Sequence, residues 1–97
     1  MNDTFGRVRL SDDSMTGAGM NPGDIAVIEL HATPAEGESC AAFMSWGELV
    51  VRRYRRTRAG DIRLTRDPLG DYAPEYFAPG AVVILGRVVR IEKGGER

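Results

Sequence analysis

Ninety-seven residues, 42% hydrophobic and 28% charged, with a formal charge of −1, are enough for one small globular domain spanning 1–97. A chain this short buries only about two-thirds of its unfolded surface, so its stability is modest unless it dimerises. The longest apolar run, Ala81-Val82-Val83-Ile84-Leu85, falls far short of the roughly 20 residues that span a bilayer. Met1-Asn2-Asp3-Thr4 carries no basic-then-apolar leader pattern, so the expected compartment is the cytoplasm, with no membrane partner. Cys40 stands alone, which excludes an internal disulfide and a cysteine metal cluster; no metal and no cofactor are expected.

Glycine and proline punctuate the chain about every ten residues, with β-branched and aliphatic residues between them, which predicts an all-β domain of short strands. The first strand is expected over Phe5–Leu10, followed by a long glycine-containing turn from Ser11 to Gly23 with a trace of helix around Thr16–Met20. Asp24–Leu30 is the second strand, and His31–Ser39 a polar connection. Cys40–Met44 and Glu48–Arg56 read as a hairpin across Ser45-Trp46-Gly47. A turn at Arg58-Ala59-Gly60-Asp61 leads into Ile62–Thr65. Asp67–Pro79, with three prolines, reads as irregular, its Tyr72, Tyr76 and Phe77 packing as a lid over the sheet. Trp46 is expected in the core as well, and Met15 and Met20 beneath the turn. The last strand runs from Ala81 to Ile91 with a bulge or bend at Gly86, and Glu92–Arg97 is a charged tail.

Ser14 sits between the acidic pair Asp12-Asp13 and Met15, at the end of a strand and the start of a turn. Serine and aspartate are ordinary turn residues, and a serine hydroxyl needs a neighbouring base to become a nucleophile. The surrounding sequence adds information. Ser14-Met15, the turn Thr16-Gly17-Ala18-Gly19-Met20-Asn21-Pro22, Gly23-Asp24 and the strand Ile25-Ala26-Val27-Ile28 resemble the C-terminal domain of LexA, UmuD and phage repressors. Those are self-cleaving Ser-Lys peptidases with an all-β fold shared with signal peptidases. Gly47-Glu48-Leu49-Val50-Val51-Arg52-Arg53-Tyr54 falls where that family has its lysine-bearing hairpin strand. Arg63-Leu64-Thr65-Arg66-Asp67-Pro68 and Leu85-Gly86-Arg87-Val88-Val89 match its later strands, so the resemblance covers about residues 7 to 92.

The resemblance implies Ser14 at the nucleophile position and Arg52 at the position of the lysine base. A buried lysine can lose its proton and act as a base; a guanidinium stays protonated. Twelve of the thirteen basic residues are arginine, and the one lysine, Lys93, lies in the tail. His31 follows the second strand in a polar loop, where a histidine is ordinarily solvated. Asp12 stands where the family usually has glycine, and its carboxylate is placed to pair with Arg52. The family's Ala-Gly or Cys-Gly cleavage pair does not occur among the thirteen residues before Ser14; Ala18-Gly19 and Ala59-Gly60 read as turn residues.

The implied function is a peptidase-fold domain without catalysis, serving as a dimerisation or regulatory protein-interaction module linked to the SOS response or to repressor regulation. A homodimer is expected, with the apolar last strand (Val82–Val89) as its seam. Two alternatives stand beside it: a serine peptidase using Ser14, and nucleic-acid binding through Arg52, Arg53, Arg55, Arg56 and Arg58 with Tyr54 as a stacking group. The overall charge makes direct nucleic-acid binding the less expected, and a solvated edge strand is the preferred reading of the arginines.

Overall fold

The structure is a computed structural model that describes residues 4–68, 74–78 and 80–94. Seven strands form one antiparallel sheet: β1 (Phe5–Arg9), β2 (Ile25–Leu30), β3 (Ser39–Phe43), β4 (Leu49–Arg56), β5 (Ile62–Thr65), β6 (Glu75–Phe77) and β7 (Val83–Glu92). Their spatial order is β1-β2-β7-β3-β4-β5-β6. Six of these follow the sequence expectation to within two residues at each end. The seventh, β6, lies in the stretch expected to be irregular. Its three residues pair with β5, Ile62 opposite Phe77 and Leu64 opposite Glu75, and so short a segment carries no period of its own.

Both faces of the central strands are covered. Cys40, Ala41 and Ala42 on β3 are fully buried, as a continuous run of small apolar residues in a strand requires. On one face Cys40, Ala42, Met44, Val50, Tyr54 and Leu64 pack together. On the other, Ala41 and Val51 meet Leu10, Met15, Ala26 and Ile28. Met15 and Met20 are buried beneath the serine turn, as expected. The aromatic expectations fare differently. Trp46 is 61% exposed at the tip of the β3–β4 hairpin, and Tyr76 is 58% exposed on β6. Phe77 does pack against the core beside Tyr54 and Leu64; Tyr72 lies outside the described residues.

The last strand is not a seam along an edge. β7 pairs with β2 on one side and β3 on the other, so its backbone groups are already used. Two register shifts bend it: Val89 is the extra residue against β2, and Leu85 against β3. The bulges therefore flank Gly86 rather than coincide with it. Gly86 is required by close approach, since a Cβ there would stand 2.1 Å from the carbonyl oxygen of Glu29. Among the described residues no helix is long and apolar enough to cross a membrane.

Candidate functional site

The chain leaves β1 at Leu10, which exchanges backbone hydrogen bonds with Gly23 and Asp24, closing the loop that carries Ser14. Within it, Thr16–Ala18 makes a single 3-10 turn over the buried Met15, ended by Gly19 in the left-handed conformation (φ 82°). Ala18-Gly19 is thus a turn terminator, and Gly60 (φ 96°) plays the matching part in the β4–β5 turn. The segment after β5 fastens the loop from below. Asp67 donates its amide to the Ser14 carbonyl (2.7 Å), and Gly17 donates to the Asp67 carbonyl (2.6 Å). Asp67 is followed by a cis peptide to Pro68, and its carboxylate pairs with Arg53.

Ser14 is 4% exposed and fully engaged. Its hydroxyl donates to Asp12 Oδ1 at 2.7 Å, and its backbone N–H donates to the same oxygen at 3.1 Å. From the other side Arg52 Nη1 donates to Ser14 Oγ at 2.8 Å and to the Val51 carbonyl at 2.8 Å. Arg52 Nη2 lies 3.9 Å from Asp12 Oδ2. The guanidinium is 9% exposed and the Asp12 side chain 44%. The sequence-predicted residues Ser14 and Arg52 are therefore in direct contact, with Asp12 completing a closed triangle. A narrow cleft of about 10 Å³, roughly the room for one water, opens beside Ser14 between Val8, Leu10, Leu49 and Val51.

The electrostatics follow from these contacts. Partial burial pushes the Asp12 carboxyl up, but the two Ser14 hydrogen bonds and the charges of Arg52 and Arg66 outweigh it, and the group ends below the usual carboxylate range. Burial pulls Arg52 down, with Asp12 opposing; a guanidinium still keeps its proton. Cys40, directly across from Arg52 in the β3–β4 register, is pushed up to about 12 by burial against the smaller opposing effect of that charge.

The other candidates fall elsewhere. His31 is an exposed residue at φ 68° after β2, with its amide on the Leu85 carbonyl. Lys93 does fold back onto the serine loop, but at its far end. Its Nζ donates to the Gly19 carbonyl (2.8 Å) and to Asp24 Oδ2 (2.7 Å), where the Asp24 carboxylate also accepts from the amides of Asn21 and Gly94. That clasp of Asp24 was not foreseen; an Asp directly before an apolar strand is too common to single out. The basic strand β4 is interior, between β3 and β5, not an edge. Arg53 pairs with Asp67, Arg55 with Glu36, and Arg56 donates to the hydroxyl of a buried Tyr54. Tyr54 is consequently closed to stacking. Among the described residues no three His, Cys, Asp or Glu side chains gather to hold a metal ion.

A serine turn closing onto the strand that carries residue 52, within an antiparallel all-β sheet, is the arrangement the sequence resemblance implies. Comparison with known proteins decides the matter: the family described as Peptidase S24-like matches residues 2–89. The chain belongs to the peptidase S24-like family. Similar curated relatives of this S24-like chain include a LexA repressor of Cereibacter sphaeroides (strain ATCC 17029 / ATH 2.4.9), 36% identical over 83 residues. A LexA repressor of Novosphingobium aromaticivorans is 32% identical over 82 residues. Each match takes in 84% of this chain but only 35% and 34% of the relative. The chain spans about a third of the length of the curated relatives it matches.

Proposed function

We propose that this S24-like domain is catalytically silent and works by protein association, as a dimerisation or regulatory module in a repressor or SOS-type circuit. The observation that carries the reading is the hydrogen bond from Arg52 Nη1 to Ser14 Oγ at 2.8 Å. A permanently protonated group occupies the place from which a base would have to take the serine proton. General-base assistance is worth about 10²–10⁴ in rate, and here it is absent from that side of the serine. Asp12 adds a second block. Its Oδ1 takes the Ser14 backbone N–H as well as the hydroxyl proton, so an anion already sits on a donor that would otherwise be free for a developing oxyanion.

The test is incubation of the protein at alkaline pH with a peptide containing an Ala-Gly pair, read by intact mass. The expected result is no cleavage by the wild type, and cleavage by an Arg52→Lys, Asp12→Gly double variant, which restores a base that burial can neutralise and removes the competing carboxylate. Cleavage by the wild type that disappears in Ser14→Ala overturns the proposal.

One observation favours a second reading, an active peptidase: the Ser14 hydroxyl donates to Asp12 at 2.7 Å, the geometry of a nucleophile and its base. Against it, a carboxylate held below its usual range is a weak proton acceptor at neutral pH. Asp12→Asn separates the two, since only an Asp12-based peptidase would lose activity with it.

A further inference from the structure

The face of β1, β2 and β7 turned away from the Met15 core carries a second concavity, of about 400 Å³, lined by Phe5, Gly6, Arg7, Val27 and Arg90. Cavities that hold small ligands run from about 300 to 1,000 Å³. The sheet register brings these residues together. Arg7 stands opposite Val27 on β2, and Val27 stands opposite Arg90 on β7. Residues opposite one another in an antiparallel pair project to the same face, so two arginines flank one valine across three strands. Val27 is 3% exposed and forms the floor. Arg90 directly follows Val89, the extra residue of the β7 bulge, and such a bulge re-aims the side chain beside it. Phe5, two residues before Arg7 on the same face, is 52% exposed.

We propose that this cavity binds a single nucleotide, its phosphate between Arg7 and Arg90 and its base on Phe5 and Val27. The two guanidinia already converge on one anionic oxygen. Arg7 Nη2 and Arg90 Nη2 lie 2.8 and 3.1 Å from the same atom, Glu92 Oε2. Glu92 thus occupies the place of a ligand oxygen in a two-arginine clamp, and the guanidinium fork suits phosphate as well as carboxylate. One carboxylate serves two arginines that are 63% and 61% exposed, so a positive charge stays uncompensated. Arg9, two residues beyond Arg7, adds another. It donates to the Gly23 carbonyl, and among the described residues no carboxylate pairs with it. Same-face neighbours on a strand stand about 6.7 Å apart, which spaces Phe5 and Arg7 as base and phosphate are spaced in one nucleotide. An aromatic ring offers any base a stacking surface. Charge on the far side of Phe5 confines the ligand to one unit. Glu29, opposite Phe5, and Glu38 both pair with Arg87, an excess of carboxylate that repels a second phosphate. The site is independent of the reading of Ser14.

The test is titration of the full chain with adenosine monophosphate, followed by heteronuclear NMR of the amides and of the arginine Nε–H groups. The expected result is saturable shifts confined to Phe5–Arg9, Val27 and Arg90, with a Kd below about 1 mM. Adenosine and inorganic phosphate, each carrying one half of the ligand, should bind at least about tenfold more weakly. Arg90→Gln and, independently, Phe5→Ser should each weaken nucleotide binding at least about fivefold, with unchanged circular dichroism. Glu92→Gln, which takes the internal carboxylate out of the clamp, should tighten binding at least about threefold. No saturable shift up to about 10 mM overturns the proposal. Inorganic phosphate that binds as well as the nucleotide overturns it too, because the site would then hold a bare anion. So does an oligoadenylate strand that binds more tightly per nucleotide than the monophosphate. Arg90→Gln or Phe5→Ser variants that bind like the wild type, or a Glu92→Gln variant that binds no more tightly, overturn it equally.

Discussion

Arg52 reaches Ser14 Oγ through the same Nη1 that it gives to the Val51 carbonyl, each at 2.8 Å. The guanidinium is thus locked to its own strand and to the serine turn together, and among the described residues Asp12 is the carboxylate that pairs with it. The two ions differ in exposure, 9% for Arg52 against 44% for Asp12, and the consequences of removing them differ accordingly.

Asp12→Ala leaves a buried cation without its carboxylate and should cost about 3 kcal/mol, whereas Arg52→Leu leaves an anion that water can reach and should cost about 1–2 kcal/mol. Ser14→Ala removes a group bonded on both sides and should cost about 1 kcal/mol. Urea unfolding of the three variants checks the order. An Arg52→Leu variant less stable than Asp12→Ala would mean that the pair is not organised around a buried charge.

The Asp24 clasp predicts a local effect at the end of the loop away from Ser14. The Asp24 side chain is 5% exposed and accepts from Lys93, Asn21 and Gly94. Asp24→Ala strands these donors and should cost about 2–3 kcal/mol, while Lys93→Met, removing a half-exposed partner, should cost about 1 kcal/mol. Hydrogen exchange should speed up at the amides of Gly19 and Met20 in both, with Cys40 and Ala41 unaffected in Lys93→Met.

Stability should fall at both ends of the pH range. In alkali the group is Cys40: its thiol is near 8.5 when unfolded and about 12 when folded. The folded state keeps a proton that the unfolded chain has lost, so stability declines as pH rises between those values. Cys40→Ala should flatten that limb. In acid the groups are Asp12 and Asp24, both lowered: Asp12 by its Ser14 hydrogen bonds against burial, Asp24 first by Lys93. Their contribution is present above about pH 4 and is lost as pH falls through their folded values. Chemical denaturation across pH reads both limbs.

Gly86→Ala should be the most damaging single methyl in the sheet. The new Cβ would meet the Glu29 carbonyl oxygen at 2.1 Å, a backbone atom that cannot move without breaking the β2–β7 pairing. A loss of about 3 kcal/mol or more is expected, measured by thermal unfolding against a Gly94→Ala control. Gly94 also crowds a carbonyl, that of Gly23, but beyond the end of β7, where the chain can yield.

What the sequence disclosed depended on what each residue's signal was. The strands with β-branched alternation, β2, β4 and β7, were legible because burial on a sheet imposes that pattern. The contact of Ser14, Asp12 and Arg52 was legible because three residue types met at spacings set by one family. Trp46 and Tyr76 were not, since nothing in a sequence says which side of an aromatic ring another element will cover. β6 was hidden by its length and by the prolines around it. The Arg53, Arg55 and Arg56 partners were equally hidden, because Asp67 and Glu36 become neighbours only through the fold.

β7 has a consequence for the order of assembly. Strands β1 and β2 form one piece, β3 to β6 another, and the two are joined in the sheet only through β7. During synthesis the first six strands emerge as two unjoined halves, each with an open edge, until residues 83–92 have been made. The final register is then set by a strand whose partners lie 40 to 67 residues behind it. Such long-range closure is slow, and a nascent chain halted before residue 83 would present two unpaired edges at once, a natural target for chaperones or proteases.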